Sequence, residues 1–144
     1  MRTTVAHILS AKGDDVWSVT STATVYEALE MMADKGVGAL IVVDDARLVG
    51  IISERDYARK VILLDRGSRK TAVADIMTSD VHTITPTSSV AHCMTLMTEQ
   101  RIRHLPVVDD EGGVAGVISI GDVVKAVIED QKFLIEQLEQ YITS

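Results

Sequence analysis

The chain has 144 residues, with 14 basic and 21 acidic side chains and a formal charge of −7. This length is typical of one domain, and an apolar fraction of 47% is ordinary for a globular protein and not for a disordered one. The acidic balance argues against nucleic-acid binding, which needs a basic surface. The single cysteine, Cys93, excludes an internal disulfide and a thiolate zinc cluster, and it fits a reducing, cytoplasmic setting.

Neither a membrane span nor secretion is expected. No run of apolar residues is long enough to cross a bilayer. The N-terminus also lacks the apolar core of a signal peptide.

The first half of the chain alternates short apolar segments with helical periodicity. Residues 16–19 predict a short strand, and Thr24 is typical of the cap of a helix with one apolar face. The apolar run 39–43 predicts a strand covered on both faces. Residues 48–52 predict a further strand, and residues 54–64 a second helix.

The second half of the chain repeats the first. Its matching segments are 5–10 with 73–78, 16–22 with 81–87, 40–45 with 105–110, and 50–56 with 116–122. The repeated unit reads β-α-β-β-α and has about 60 residues, so each copy buries little surface alone and two should pack together. We expect one copy at 1–64, a connector at 65–72, the second copy at 73–128 and a helical extension at 129–144.

These repeats resemble the CBS domain, and two in tandem are similar to a Bateman module of the stand-alone, bacterial-type kind. The resemblance is carried by the doubled unit, by Leu-Pro-Val-Val-Asp at 105–109 and by the Gly-hydrophobic-x-Ser-x-x-Asp endings at 50–56 and 116–122. It implies an α/β (α+β) fold in which two β-α-β-β-α units pack as a pseudo-twofold pair, with a C-terminal helix added. It also implies adenosine-containing ligands in the clefts between them, AMP first and then NAD or ATP.

Each Ser-x-x-Asp element stands where a strand enters a helix. On the residues alone, Ser53 and Ser119 are typical helix caps. Asp56 and Asp122 stand three residues later, where their side chains can accept a hydrogen bond from the backbone N–H of the capping serine. The same helix start can present free N–H groups to a phosphate. The resemblance implies that the two aspartates accept hydrogen bonds from ribose hydroxyls and that the serines lie near the phosphate.

The two copies differ where the phosphates are expected. The differing pairs are Arg55 and Gly121, Gly38 and Arg103, and Ala39 and His104. A guanidinium binds phosphate bidentately, and the resemblance implies that Arg103 and His104 approach the phosphates. His104 could equally be a buried histidine bonded to backbone, and Arg101 a solvated helix end. The two clefts are therefore expected not to be equivalent.

The resemblance also implies an apolar slot for adenine next to the lead-in segments. The candidate positions are Val16 and Trp17 in one copy, Thr78, Val81 and His82 in the other, and Ile51 and Val117 on the opposite wall. Trp17 could instead be a core residue or a surface plug.

Catalytic residues, metal ligands and a catalytic cofactor are not predicted. Cys93 falls on the apolar face of a predicted helix, where an inert thiol is expected. The histidines show no metal-binding spacing, and no phosphate-binding glycine loop ending in Gly-Lys occurs. We therefore expect no enzyme, and turnover of a bound nucleotide is the weaker alternative.

Residues 123–143 predict one long helix with a heptad-like apolar seam. The seam consists of Val124, Ile128, Gln131, Ile135, Leu138 and Ile142. We expect it to form a homodimer contact, although the face could pack back on its own domain. The sequence thus favours a cytoplasmic, homodimeric nucleotide-binding regulator that acts on an unknown downstream protein. The alternative is a ligand-free interaction module with vestigial clefts.

Overall fold

The structure is a computed structural model that describes residues 3–13 and 15–143, so the predicted ends at residues 1 and 144 lie outside it. The chain divides into two compact units. Residues 16–81 form the first-repeat unit, and residues 1–15 together with 82–144 form the second-repeat unit. These units differ from the boundaries expected at 1–64 and 73–128, because each unit contains the lead-in segment of the other repeat.

The elements occur in the order expected of a doubled unit. They are α1 (Val5–Lys12), β1 (Ser18–Val19), α2 (Val25–Lys35), β2 (Ala39–Asp44), β3 (Arg47–Ser53), α3 (Glu54–Tyr57) with a π-helical turn (Ala58–Ile62), α4 (Val73–Ile76), α5 (Val90–Gln100), β4 (His104–Val108), β5 (Val114–Ser119) and α6 (Ile120–Thr143). The mixed α/β class predicted from the sequence is confirmed.

The first-repeat unit is built on a three-stranded sheet in the order β1-β2-β3. Strand β1 is parallel to β2, and β2 is antiparallel to β3. Asp45 and Ala46 connect β2 to β3 with φ of 49° and 63°, as a type I′ hairpin turn requires. Helix α2 begins where Thr24 accepts a hydrogen bond from the Glu27 N–H at 3.1 Å, and it ends at Gly36 with φ of 67°.

The core of the first-repeat unit joins its own helices and strands to the lead-in helix of the other repeat. Its buried members are Val25, Ala28, Met32, Leu40, Val42, Ile52, Val61, Val73 and Ile76. The helix predicted over 54–64 is helical only to residue 62. Its second half is π-helical, with the Leu63 N–H bonded to the Ala58 carbonyl at 3.2 Å, which the sequence periodicity did not predict.

The second-repeat unit pairs β4 with β5 in an antiparallel hairpin. Its core includes residues of α1, α5, β4, β5 and α6. They are Val5, Ile8, Ile84, Val90, Cys93, Met97, Leu105, Val107, Ile118, Val123 and Ala126. Helix α5 is capped by Ser89, which accepts from the His92 N–H at 3.0 Å, and it ends at Arg101 in the left-handed region.

The leading strand of each repeat is shorter than predicted. Instead of residues 16–19, β1 covers only Ser18–Val19. In the second repeat the corresponding segment makes a single parallel bridge, between Ile84 and Val107. Pro106 has no N–H to donate, so the ladder cannot extend toward the residues before Ile84.

Helix α6 begins at Ile120, three residues earlier than predicted, because Ser119 caps it by accepting from the Asp122 N–H at 3.2 Å. Its buried face is formed by Val123 and Ala126. The predicted seam lies on the exposed side instead. The exposed fractions are 51% for Val124, 52% for Ile128, 55% for Ile135, 53% for Leu138 and 79% for Ile142. The alternative that this face packs back on its own domain is therefore wrong.

Candidate nucleotide-binding site

The first Ser-x-x-Asp element closes a reciprocal capping box. Oδ2 of Asp56 accepts hydrogen bonds from the Ser53 backbone N–H at 3.0 Å and from the Ser53 hydroxyl at 3.1 Å. The Asp56 N–H donates to Oγ of Ser53 at 3.2 Å. Lys60 lies one helical turn further on, with Nζ 3.1 Å from Oδ1 of Asp56, and it also donates to the Ile76 carbonyl at 2.9 Å. The Asp56 carboxylate is thus held in a fixed orientation just after the end of β3.

The second Ser-x-x-Asp element forms the same capping box, but its aspartate is paired with a lysine from a different part of the chain. Oδ2 of Asp122 accepts from the Ser119 N–H at 2.8 Å. Nζ of Lys12 lies 2.7 Å from the same oxygen and donates to the Val117 carbonyl at 2.9 Å. Because Lys12 ends the lead-in helix α1, this aspartate is paired with a residue from the other repeat.

The start of β2 lies beside the first serine. The Glu54 N–H donates to the Gly38 carbonyl at 3.0 Å, and Ala39 is the strand partner of Ser53. The expected site residues Gly38 and Ala39 therefore lie next to the Ser53–Asp56 element. Arg55 is half-buried in the same short helix.

The start of β4 occupies the equivalent place in the second-repeat unit. The Ile120 N–H donates to the Arg103 carbonyl at 2.8 Å, and His104 is the strand partner of Ser119. Arg103 is exposed, whereas His104 is half-buried. Gly121, which takes the place of Arg55, is exposed.

Burial and charge set the protonation of this second element. Burial opposes ionisation of Asp122, but hydrogen bonds from Lys12 and Ser119 together with the lysine charge outweigh it and lower its pKa. Burial lowers the pKa of His104, and the Asp122 carboxylate only partly offsets this. His104 is therefore neutral near pH 7 and can offer one N–H rather than a positive charge.

The structure brings two of the expected adenine-slot residues together in the first-repeat unit. Ile51 and Thr78 exchange two backbone hydrogen bonds, each 2.9 Å long, so Thr78 extends the edge of β3 two residues before Ser53. Val81 is half-buried in the same unit.

The remaining expected slot residues are more scattered. Trp17 is 36% exposed and contacts Lys35, whose Nζ lies 4.4 Å from the ring centroid, and its neighbour Val16 is half-buried. His82 and Val117 belong to the second-repeat unit, where both are half-buried. The contact of Trp17 with Lys35 agrees with the surface alternative for this residue.

Two lysines that form ion pairs with these aspartates were not predicted from the sequence. Lys60 follows Asp56 at i,i+4, a spacing that signals an ion pair on a helix. Lys12 stands 110 positions from Asp122, and no local pattern could have joined them.

Cys93 is buried, and burial raises the pKa of its thiol, as expected of an unreactive core cysteine. Within residues 3–13 and 15–143, no group of three or more His, Cys, Asp or Glu is arranged to hold a metal ion. None of the helices in this described part is long and apolar enough to cross a membrane.

Known proteins share both the sequence pattern and the architecture. A protein from Arabidopsis thaliana, the mitochondrial CBS domain-containing protein CBSX3, is 44% identical over an alignment of 149 residues that covers 97% of this chain and 72% of that protein. The structure of a protein with CBS domains from Burkholderia ambifaria is 54% identical, with a TM-score of 0.86, over 90% of this chain and 96% of that chain.

A second similar structure contains ligands. The CBS domain pair of protein MJ0100, in complex with 5′-methylthioadenosine and S-adenosyl-L-methionine, is 27% identical with a TM-score of 0.80, over 90% of this chain and 99% of that chain. The family model of the CBS domain matches residues 5–63 and 73–129 of the present chain. This chain therefore belongs to the CBS domain family and contains two CBS domains in tandem, each with a small sheet and a Ser-x-x-Asp element.

Proposed function

We propose that this CBS pair is a regulatory module that binds adenosine-containing nucleotides at its Ser-x-x-Asp elements, AMP first and then NAD or ATP. Asp56 and Asp122 accept the ribose hydroxyls, and Ser53 and Ser119 lie near the phosphate. One observation carries the proposal. Each aspartate lies half-buried at the end of the last strand of its repeat, already oriented as an acceptor by a serine N–H.

The surroundings of these aspartates suit such a ligand. A carboxylate can accept hydrogen bonds on both oxygens, and partial burial strengthens each bond. Arg103 and His104 at the second element, and Arg55 at the first, are the groups proposed to meet phosphate. The ligands of the MJ0100 CBS pair share the adenosine group, which supports the ligand class.

Regulation requires that the ligand bind two conformations of the protein with different affinity. We propose that the chain passes this change to a separate downstream protein in the cytoplasm and catalyses no reaction itself. We also propose a homodimer in which the exposed seam of α6 is the contact, since the five apolar side chains of the seam are each more than half exposed.

A ligand-free interaction module is the second candidate. Its support is that Ser53 with Asp56, and Ser119 with Asp122, complete their capping boxes with partners from the chain itself. In that case the elements only stabilise helix starts.

Calorimetric titration with adenosine, AMP, NAD and ATP distinguishes the two candidates. Asp56→Asn and Asp122→Asn, each close in shape to the original side chain, should each weaken binding at their own element by about tenfold or more. Asp110→Asn, an exposed turn residue, is the matched control and should bind as the parent does. Parent-like binding by the double variant would overturn the site assignment. Absence of binding by the parent would overturn the nucleotide function and favour the interaction module.

A further inference from the structure

In the second-repeat unit, one oxygen of the proposed ribose acceptor is already saturated. Oδ2 of Asp122 accepts from the Ser119 N–H at 2.8 Å and from Nζ of Lys12 at 2.7 Å. A carboxylate oxygen has about two lone pairs, so these two bonds fill it. A vicinal diol fits a carboxylate best with one hydroxyl on each oxygen. The second hydroxyl can reach Oδ2 only when one of the two present donors leaves.

Lys12 is the donor that can leave. The Ser119 N–H belongs to the backbone that caps α6 and cannot withdraw without unfolding the start of that helix. The Lys12 side chain is 37% exposed, and its flexible four-carbon stem can turn toward solvent once these bonds break. Its ammonium group is therefore the part of the site that a ribose would replace.

The lysine also ties the end of α1 to β5. Besides Asp122, its Nζ bonds the Val117 carbonyl at 2.9 Å. Lys12 is the last residue of α1, whose last turn is closed by the bond from the Gly13 N–H to the Leu9 carbonyl at 2.9 Å. Loss of both Nζ contacts would remove the polar attachment of this turn and leave the apolar contacts of α1 in place.

The first-repeat unit is arranged differently. Lys60 bonds Oδ1 of Asp56, and Oδ2 is filled by the two donors of Ser53. Lys60 lies in the same helical run as Asp56 and contacts the lead-in helix α4 through the Ile76 carbonyl, at 2.9 Å. Of the two aspartates, Asp122 is the one whose paired lysine itself belongs to a lead-in helix.

We propose that Lys12 closes the second element in the ligand-free protein, that the ribose diol of the nucleotide displaces its ammonium group from Asp122, and that the displacement frees the last turn of α1. This rests on the proposed function and specifies how occupancy of that same site is transmitted. By thermodynamic linkage, two free energies are equal. One is the binding free energy that the nucleotide loses because Lys12 competes for Asp122, and the other is the docking free energy that the end of α1 loses when the nucleotide binds.

The test uses adenosine, which has the ribose diol and no phosphate, in an Asp56→Asn background, where binding at the first element is weakened and the second element dominates. Lys12→Met, which keeps the aliphatic stem, should bind adenosine about three- to tenfold more tightly than its parent. Lys12→Arg keeps the competing charge and should stay near the parent. Lys125→Met removes one charge from an exposed position of α6 and is the matched control.

Hydrogen exchange supplies a second measurement. In the parent, saturating adenosine should raise the exchange rate of the Gly13 amide at least about threefold, whereas in Lys12→Met the amide should exchange fast with or without ligand. Unchanged or weaker adenosine binding by Lys12→Met, while the parent binds, would overturn this inference and leave the proposed function intact. No adenosine binding by parent and variants alike would overturn the proposed function and this inference with it.

Discussion

Gly50 in β3 lies so close to Thr78 that a β-carbon on the glycine would be 2.9 Å from the Thr78 carbonyl oxygen. The same β-carbon would be 2.6 Å from Sδ of Met77. The equivalent residue of the second repeat, Gly116, would place its β-carbon 2.6 Å from Cδ2 of Leu9. In each unit, therefore, a glycine of the last strand lets the lead-in segment approach the sheet.

These contacts predict that a glycine-to-alanine substitution lowers the free energy of unfolding by different amounts at the two positions. Gly50→Ala should lower the free energy of unfolding by about 2–3 kcal/mol, because a backbone carbonyl has to move. Gly116→Ala should cost about 1 kcal/mol, because the end of a leucine side chain can turn aside. Urea unfolding of both variants measures the difference. Equal losses, or a larger loss for Gly116→Ala, would contradict the packing described for the lead-ins.

Removal of either serine cap should destabilise its helix start. Ser53→Ala and Ser119→Ala should each lose about 1 kcal/mol of stability, because an N–H at the helix start loses its acceptor. Thermal unfolding measures the loss, with exposed Ser79→Ala as the control. If the nucleotide function is correct, both cap variants should also bind AMP more weakly. A stability loss with unchanged AMP binding would assign the serines to capping alone.

Stability should fall in acid partly because of Asp122. Its pKa is lower in the folded protein than the ordinary value of 3.8, so ionisation favours the fold. This contribution is complete above the ordinary value and is lost as the pH falls through the lower, folded one. Urea midpoints measured from about pH 6 to about pH 3 should therefore decrease less steeply in Asp122→Asn than in the parent.

Lys12→Met should partly flatten the same profile, because the hydrogen bond and charge of Lys12 act together with hydrogen bonds from Ser119 to lower the Asp122 pKa. The carboxyl carbon resonance of Asp122 should titrate at a higher pH in this variant. Part of the slope should remain in both variants, since hydrogen bonds from Ser21 lower the pKa of Asp44 as well. An unaltered Asp122 titration in Lys12→Met would show that the ion pair is absent in solution.

The exposed seam of α6 predicts a dimer that a charge on the seam should weaken. Leu138→Glu places a carboxylate among apolar side chains and should raise the dimer dissociation constant at least about tenfold. Gln140→Glu adds the same charge away from the seam and should leave the dimer unchanged. Sedimentation equilibrium of the two variants gives the comparison. A parent chain that sediments as a monomer at micromolar concentration would reject the contact.

The local features of the fold were predictable from the sequence. The doubled β-α-β-β-α pattern, the caps at Thr24 and Ser119 and the seam of α6 all depend on side chains a few residues apart, where periodicity and hydrogen-bonding chemistry are decisive. The π-helical turn at Ala58–Ile62 and the shortened leading strands were missed. The π-helical turn leaves the hydrophobic pattern unchanged. In the second repeat, the shortening of the leading strand depends on Pro106 being the strand neighbour of the segment around Ile84.

Only the tertiary structure decided which repeat each lead-in joins. Helix α1 and helix α4 have similar short apolar patterns. Their residues therefore do not indicate which of the two sheets each helix covers. The docking depends on the gaps beside Gly50 and Gly116 and on the polar bonds that follow, which join residues far apart in the chain. The pairing of Lys12 with Asp122 is the result, and for that reason the sequence identified the aspartate while the structure identified its partner.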